Sequence, residues 1–162
     1  MVDLRAGGGR AGGRRVLRWA LTAAPPVLLV VGSWSHRWFA EDAFIFLRVV
    51  DNVVAGNGPV FNAGERVAVT TSPLWLGLLV VGRVLGSWAL PLEWIGLLLG
   101  LALGVAGLVL AQWGAGRLWR DVEPGAVMVP AGALVLASLP VVWDFVPSGL
   151  EVGLAVAWVA AA

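Results

Sequence analysis

The chain has 162 residues, 59% of them apolar and 13% charged, with a net charge of +1 and no cysteine. A water-soluble domain carries about a quarter of its residues as charged groups, so soluble nucleotide-binding and zinc-finger folds are excluded, and without cysteine there is no secreted disulfide scaffold and no thiolate metal site. Long apolar runs and a mean hydropathy of +0.87 predict an all-α integral membrane protein, a multi-span helical bundle whose surroundings are the lipid bilayer and which has no nucleic-acid partner.

All 11 basic residues are arginine, and five of them (Arg5, Arg10, Arg14, Arg15 and Arg18) fall in the first 18 positions. Residues 1–15, rich in Arg and Gly, are expected to form a disordered cytoplasmic tail against an anionic membrane surface. A first span is expected over about 16–34, with Trp19 and Trp34 at its ends and a kink at Pro25-Pro26. A cleavable signal, with Arg14-Arg15 as a twin-arginine hint, is the rival reading. No Ala-x-Ala-like site follows the run, and the bulky Trp34 to Phe39 segment favours a retained anchor.

Residues 36–92 are expected to form an outer loop holding interfacial helices. Asp42 to Val54 has apolar residues spaced by three and four and reads as a helix. It ends at Gly56-Asn57-Gly58-Pro59, a turn sequence, and 60–65 look extended and turning. Leu74 to Leu92 is apolar but carries Arg83 and is bounded by Pro73 and Pro91. Further spans are expected at about 94–114, 127–142 and from 152 to 162 onward. If 74–92 crossed the membrane, Arg117 and Arg120 would lie outside, against the positive-inside tendency. Placing 74–92 in the outer interface puts those arginines in the cytoplasm and Glu41, Asp42, Asp144 and Glu151 outside; Arg83 snorkelling from a true span is the alternative. The chain stops within an apolar run and is expected to be the N-terminal piece of something longer.

Carboxylates beside a membrane are costly unless solvated, paired or put to use. Glu41-Asp42 can serve as the acidic first turn of the loop helix; Asp42, just before Ala43-Phe44-Ile45-Phe46-Leu47, also sits where a carboxylate can act as a general base. Asp51-Asn52 and Glu65-Arg66 read as solvated or locally paired, and His36, the single histidine, as an interfacial polar residue. Thr71-Ser72-Pro73 is a helix start, with Ser72 as cap and Pro73 in the first turn, and its free N–H groups suit a phosphate. Ser148 and Glu151 have capping-box spacing, which leaves Asp144 unexplained.

The strings Trp38 to Arg48, Ala55 to Val67 (with Gly-Asn-Gly-Pro-Val-Phe-Asn-Ala-Gly-Glu-Arg-Val), Thr71 to Trp75 and Pro147 to Glu151 resemble the N-terminal part of the GT-C-type polyprenyl-phosphate-sugar glycosyltransferases, most of all the actinobacterial arabinofuranosyltransferases that act on cell-wall arabinan. The resemblance runs from about residue 30 to the end. It implies a multi-pass plasma-membrane enzyme with a cytoplasmic N-terminus, an extracytoplasmic active site, a polyprenyl-phosphate-linked sugar donor and an arabinan or other glycan acceptor. It makes Asp42 the catalytic base beside Glu41, although family members often show Asp-Asp there. Arg48, Thr71, Ser72, Asn62, Glu65, Asp144, Ser148 and Glu151 become the substrate- and phosphate-binding candidates. The resemblance assigns no certain cofactor; some relatives hold a divalent metal on such carboxylates, for which Asp42 and Asp144 are the candidates. The family's large extracytoplasmic C-terminal region is missing, so this length alone is expected to be inactive. Mannosyl transfer is the nearest alternative; a small transporter or flippase subunit is another, though 94–114 and 127–142 carry no ionisable group.

Overall fold

A computed structural model describes residues 6–65, 67, 70–86, 88–124 and 126–162, with side chains from residue 12 onward. Among them the chain is all-helical: α1 (Ala6–His36), α2 (Glu41–Val54), α3 (Pro73–Gly86), α4 (Leu92–Val122), α5 (Ala131–Ser138), α6 (Pro140–Phe145) and α7 (Val152–Ala161).

Two helices are long and apolar enough to cross a membrane, α1 from Gly12 to His36 and α4 from Leu92 to Val122. Both turn large apolar side chains outward along much of their length, among them Val27, Val30 and Val31 on α1 and Leu98, Val109 and Leu110 on α4. In water such faces would be unstable; in hydrocarbon they cost nothing. The chain is a membrane protein of the all-α class. The inner side of α4 is small instead: Gly96, Gly100, Gly104 and Gly107 are buried there, the pattern by which helices approach closely where burying Leu against lipid gains little. α7 fills that seam. A Cβ on Gly153 of α7 would collide with the Gly100 carbonyl, and one on Gly107 would meet Val156 and Ala157 at 2.9 Å.

α1 and α4 run antiparallel. Arg18 Nη2 donates to the carbonyl of Ala126, just beyond the α4 C-terminus, at 3.3 Å, while the Trp34 and Trp94 rings meet at 6.0 Å at the opposite end. Arg14, Arg15, Arg18, Arg117 and Arg120 therefore share one end of the bundle, with Asp121 and Glu123. Glu41, Asp42, Glu93, Asp144 and Glu151 share the other.

Two expectations are corrected. The helix begins at Ala6, so the described part of the 1–15 tail is helical and not disordered; extending an existing helix adds a hydrogen bond for each residue fixed. α1 continues through Pro25-Pro26 to His36, as a helix does whether or not it bends there. The span expected at 127–142 is two helices, broken at Leu139, which takes the extended φ −80°, ψ 122° that the following Pro140 ring imposes on its predecessor. The broken segment still runs beside α1 from Arg18 to its end: Ala126 lies against Arg18 and Asp144 against His36, an advance of about 27 Å along α1 at helical rise.

α2 and α3 have 14 residues each, about 21 Å at helical rise, short of the ~30 Å hydrocarbon layer. They pack on one another through Phe46, Leu47, Val49 and Val50 of α2 and Trp75, Leu76 and Leu79 of α3, closed by Leu92 of α4. Arg83 of α3 has a partner on α2: its Nη2 meets Asp51 Oδ1 at 3.3 Å.

Replacing Gly153 with Leu forces α7 off the α4 seam. Overpacking of this kind costs about 1–3 kcal/mol, so the variant in detergent should keep its helical circular dichroism and unfold at lower temperature or denaturant than the wild type.

Candidate active site

The acidic end is built around the start of α2. Ala40 is its N-cap, extended at φ −70°, ψ 144° and without a side-chain cap; Glu41 and Asp42 occupy the first turn, where carboxylates face the positive end of the helix dipole. Both are exposed, while Ala40 and Ala43 on either side of them are buried. The pair thus stands on a rigid base with its carboxylates open.

That base is made by a segment 100 residues further on. The Ala40 N–H donates to the Ser148 carbonyl at 2.9 Å, and the buried Trp75 Nε1–H donates to the Gly149 carbonyl at 3.0 Å. Gly149 has φ +84°, and a Cβ on it would run into the Phe39 ring and meet Ala43 at 3.0 Å, so both its backbone conformation and its surroundings require glycine. Further back, Trp38 Nε1–H donates to the Asp144 carbonyl at 2.8 Å, and His36 Nδ1 lies 3.1 Å from Asp144 Oδ1. Residues 144–149 therefore clamp residues 36–43 from beneath.

The remaining predicted residues divide. Asp144 is drawn to this end but is occupied by His36. Ser148 is fully buried, and its hydroxyl donates back to the Phe145 carbonyl at 2.7 Å. Glu151 is itself the N-cap of α7 and makes no side-chain cap bond, so the expected capping box is not formed: the helix begins one residue after Glu151, and the Ser148 hydroxyl lies a turn too early to reach it. Ser72 does begin α3, its carbonyl accepting from Leu76 N–H at 3.0 Å, and Thr71 beside it is exposed. Arg48 lies on α2 six residues beyond Asp42, with Nε–H directed to the Phe61 carbonyl at 3.3 Å. Asn62 and Glu65 pair with each other, Nδ2 to Oε2 at 3.1 Å, at the edge of an open cleft of about 600 Å³ lined in part by Asn57, Val60 and Glu65. Arg66 lies outside the described residues. No three His, Asp or Glu side chains among the described residues come together as a metal-ligand group.

Sequence reasoning missed His36, Trp38, Trp75 and Gly149, whose partners are 74 to 108 positions away. Asn52, read as solvated or locally paired, is paired and buried. This buried side chain donates to the Val60 and Phe61 carbonyls, both at 2.9 Å, and accepts from Asn57 Nδ2. It holds the 57–61 turn to α2, and only the Asn-Gly-Pro that follows hinted at it.

The fold and this end define a helical membrane protein presenting an acidic pair in the first turn of a short helix. Over 146 residues, 89% of its length, the chain is 47% identical to the terminal β-(1→2)-arabinofuranosyltransferase of Mycobacterium tuberculosis. Over 140 residues, 86% of its length, it is 39% identical to the protein of the same name from Corynebacterium glutamicum. It spans only 23% and 20% of those two proteins. Identity at this level over nearly the whole chain is homology, and it bears out the likeness to the arabinofuranosyltransferases read from the sequence. No protein-family model and no solved structure matches the chain.

Trp75→Phe keeps the ring and removes the N–H, leaving the buried Gly149 carbonyl unpaired. A loss of about 1–3 kcal/mol is expected, measured by unfolding in detergent, together with faster amide exchange at Ala40.

Proposed function

We propose that this chain carries the general base of a membrane glycosyltransferase that moves a sugar, arabinofuranose, from a polyprenyl-phosphate donor to a cell-wall polysaccharide on the extracytoplasmic face, within a GT-C-type architecture. The observation that carries the reading is the exposed Glu41-Asp42 pair, held by the 144–149 clamp at the end of the bundle opposite the arginine-rich one, in a chain homologous to arabinofuranosyltransferases. Arginine-rich ends stay in the cytoplasm, which directs the acidic end outward.

In this reading the Asp42 carboxylate takes the proton from an acceptor hydroxyl as its oxygen attacks the anomeric carbon; the bond to the lipid phosphate breaks and the configuration inverts. Phosphate is a competent leaving group, so positive potential suffices in place of a general acid. Arg48 and the α3 N-terminus at Thr71-Ser72 supply it. Glu41 stands beside Asp42 in the first turn of α2 as the second acid of the pair. Asp144, tied to His36, acts as a positioning residue, and Ser148 and Glu151 hold the clamp segment.

The test uses a chimera in which this chain replaces the matching part of the Mycobacterium tuberculosis relative, assayed with synthetic decaprenyl-phosphoryl-arabinose and an arabinan oligosaccharide. Asp42→Asn keeps the shape and removes the base, and should lower the transfer rate at least ~100-fold. Activity that survives the change removes Asp42 from the mechanism; a chimera active only with a mannosyl donor replaces the sugar assignment. The orientation has its own check, since the chain lacks cysteine. Cysteines introduced singly at Arg83 and Asp144 should react with an impermeant maleimide in intact cells, and one at Arg117 should not.

A further inference from the structure

A second concavity, of about 220 Å³, opens at the acidic end between the α1–α2 turn and the first turn of α4, lined by Arg37, Trp38, Phe39, Glu93, Trp94 and Leu97. Its walls are fixed from behind. Arg37 Nη1 donates to the Trp34 carbonyl at 2.6 Å, with the guanidinium over the Trp34 ring at 5.0 Å, and Trp34 in turn packs on Trp94. Trp38 is held by Asp144, and Phe39 meets Phe44 edge-on at 5.1 Å. Glu93 differs from these. It stands exposed in the first turn of α4 and, among the described residues, makes no hydrogen bond or ion pair, so both of its oxygens remain available as acceptors.

The chemistry of the lining selects its occupant. An anionic group would face the Glu93 carboxylate, and the Arg37 guanidinium already spends one N–H and its face on Trp34. A cation would face Arg37. An apolar tail would strip water from both charges without replacing the lost hydrogen bonds. A neutral polyhydroxylated ring satisfies all of them: hydroxyls donate to Glu93 and accept from Arg37, and C–H faces lie on the Trp38 and Trp94 rings. The volume is below the ~300 Å³ at which pockets for drug-sized ligands begin, which suits one ring and not a chain. Phe39 links the cleft to the α2 start, since it lines the cleft and also packs on Phe44 and beside Gly149.

We infer that this cleft is a glycan subsite that holds one neutral sugar ring of the acceptor beside Asp42. The inference rests on the reading of the chain as part of a glycosyltransferase, and it deepens that reading by assigning Glu93 and Trp94 to acceptor binding. Neither residue takes part in the proton transfer.

The test titrates the chain, reconstituted in nanodiscs of zwitterionic lipid, with an arabinofuranosyl oligosaccharide, a mannosyl oligosaccharide and inorganic phosphate, reading saturation-transfer NMR and tryptophan fluorescence. The arabinofuranosyl probe should bind saturably. Glu93→Gln and Trp94→Ala should each weaken it about tenfold or more, as expected when a hydrogen bond to a charged group or a stacking face is lost. Asp121→Asn, at the opposite end of α4, should leave binding unchanged. Trp94→Phe, which retains a ring, should bind more tightly than Trp94→Ala, separating loss of the face from loss of folding. Mannosyl binding with the same dependence on Glu93 and Trp94 keeps the glycan subsite and overturns the arabinofuranosyl assignment. No sugar binding, sugar binding indifferent to these substitutions, or saturable binding of phosphate in its place overturns the subsite, while the Asp42→Asn transfer assay still decides the proposed function.

Discussion

Inside a hydrocarbon layer, helices gain nothing by hiding Leu from lipid, so what joins them is how closely their backbones can come. In this chain that constraint is concentrated where Gly153 of α7 rests on the Gly100 carbonyl of α4 and the Val146 carbonyl lies over Gly100. Any side chain at either glycine would hold the two backbones apart. The approach sets the height of residues 146–153 on α4, and with it the positions of the Ser148 and Gly149 carbonyls. Those two carbonyls receive the Ala40 N–H and the Trp75 indole. The entry to α2 and the placement of α3 are thus both referred to one glycine contact.

α1 acts as a second reference line. Two long-range hydrogen bonds from it, Arg18 to Ala126 and His36 to Asp144, have the same separation of 108 positions, so the 126–144 segment runs beside it in step even though Pro140 divides that segment into two helices. The break has a structural use. Trp143 Nε1–H donates to the Ala137 carbonyl at 2.6 Å across it, satisfying an acceptor that the α5 C-terminus would otherwise leave unpaired. Trp143 also fits against Gly32 of α1. A straight helix would present neither group in this way.

At the acidic end, rigidity and openness are assigned to different atoms. The backbone around Glu41-Asp42 is buried and hydrogen-bonded, while the carboxylates themselves are free. Folding thus fixes the backbone position of the pair and leaves its carboxylates open. The neighbouring cleft follows the same rule, with Trp34 and Asp144 fixing Arg37 and Trp38 from behind and Glu93 left uncommitted.

The sequence by itself determined the membrane class, the two long apolar helices, the short helix from about 42 to 54, the helix start at Ser72-Pro73 and the acid pair at a helix N-terminus. Each of these is encoded locally, in hydropathy, in three-and-four spacing or in the fixed φ of proline. The specific strings around Glu41-Asp42 and Gly56 to Val67 also carried the family likeness. Only the tertiary structure decided that Asp144 meets His36, that Arg83 meets Asp51, that Ser148 serves as a backbone acceptor for Ala40 and not as a cap, and that Glu93 and Trp94 share a cleft with Arg37. Those pairings join residues tens of positions apart, and no periodicity records them. They exist because glycine-lined backbones pack at one depth and bring distant loops to the same end of the bundle.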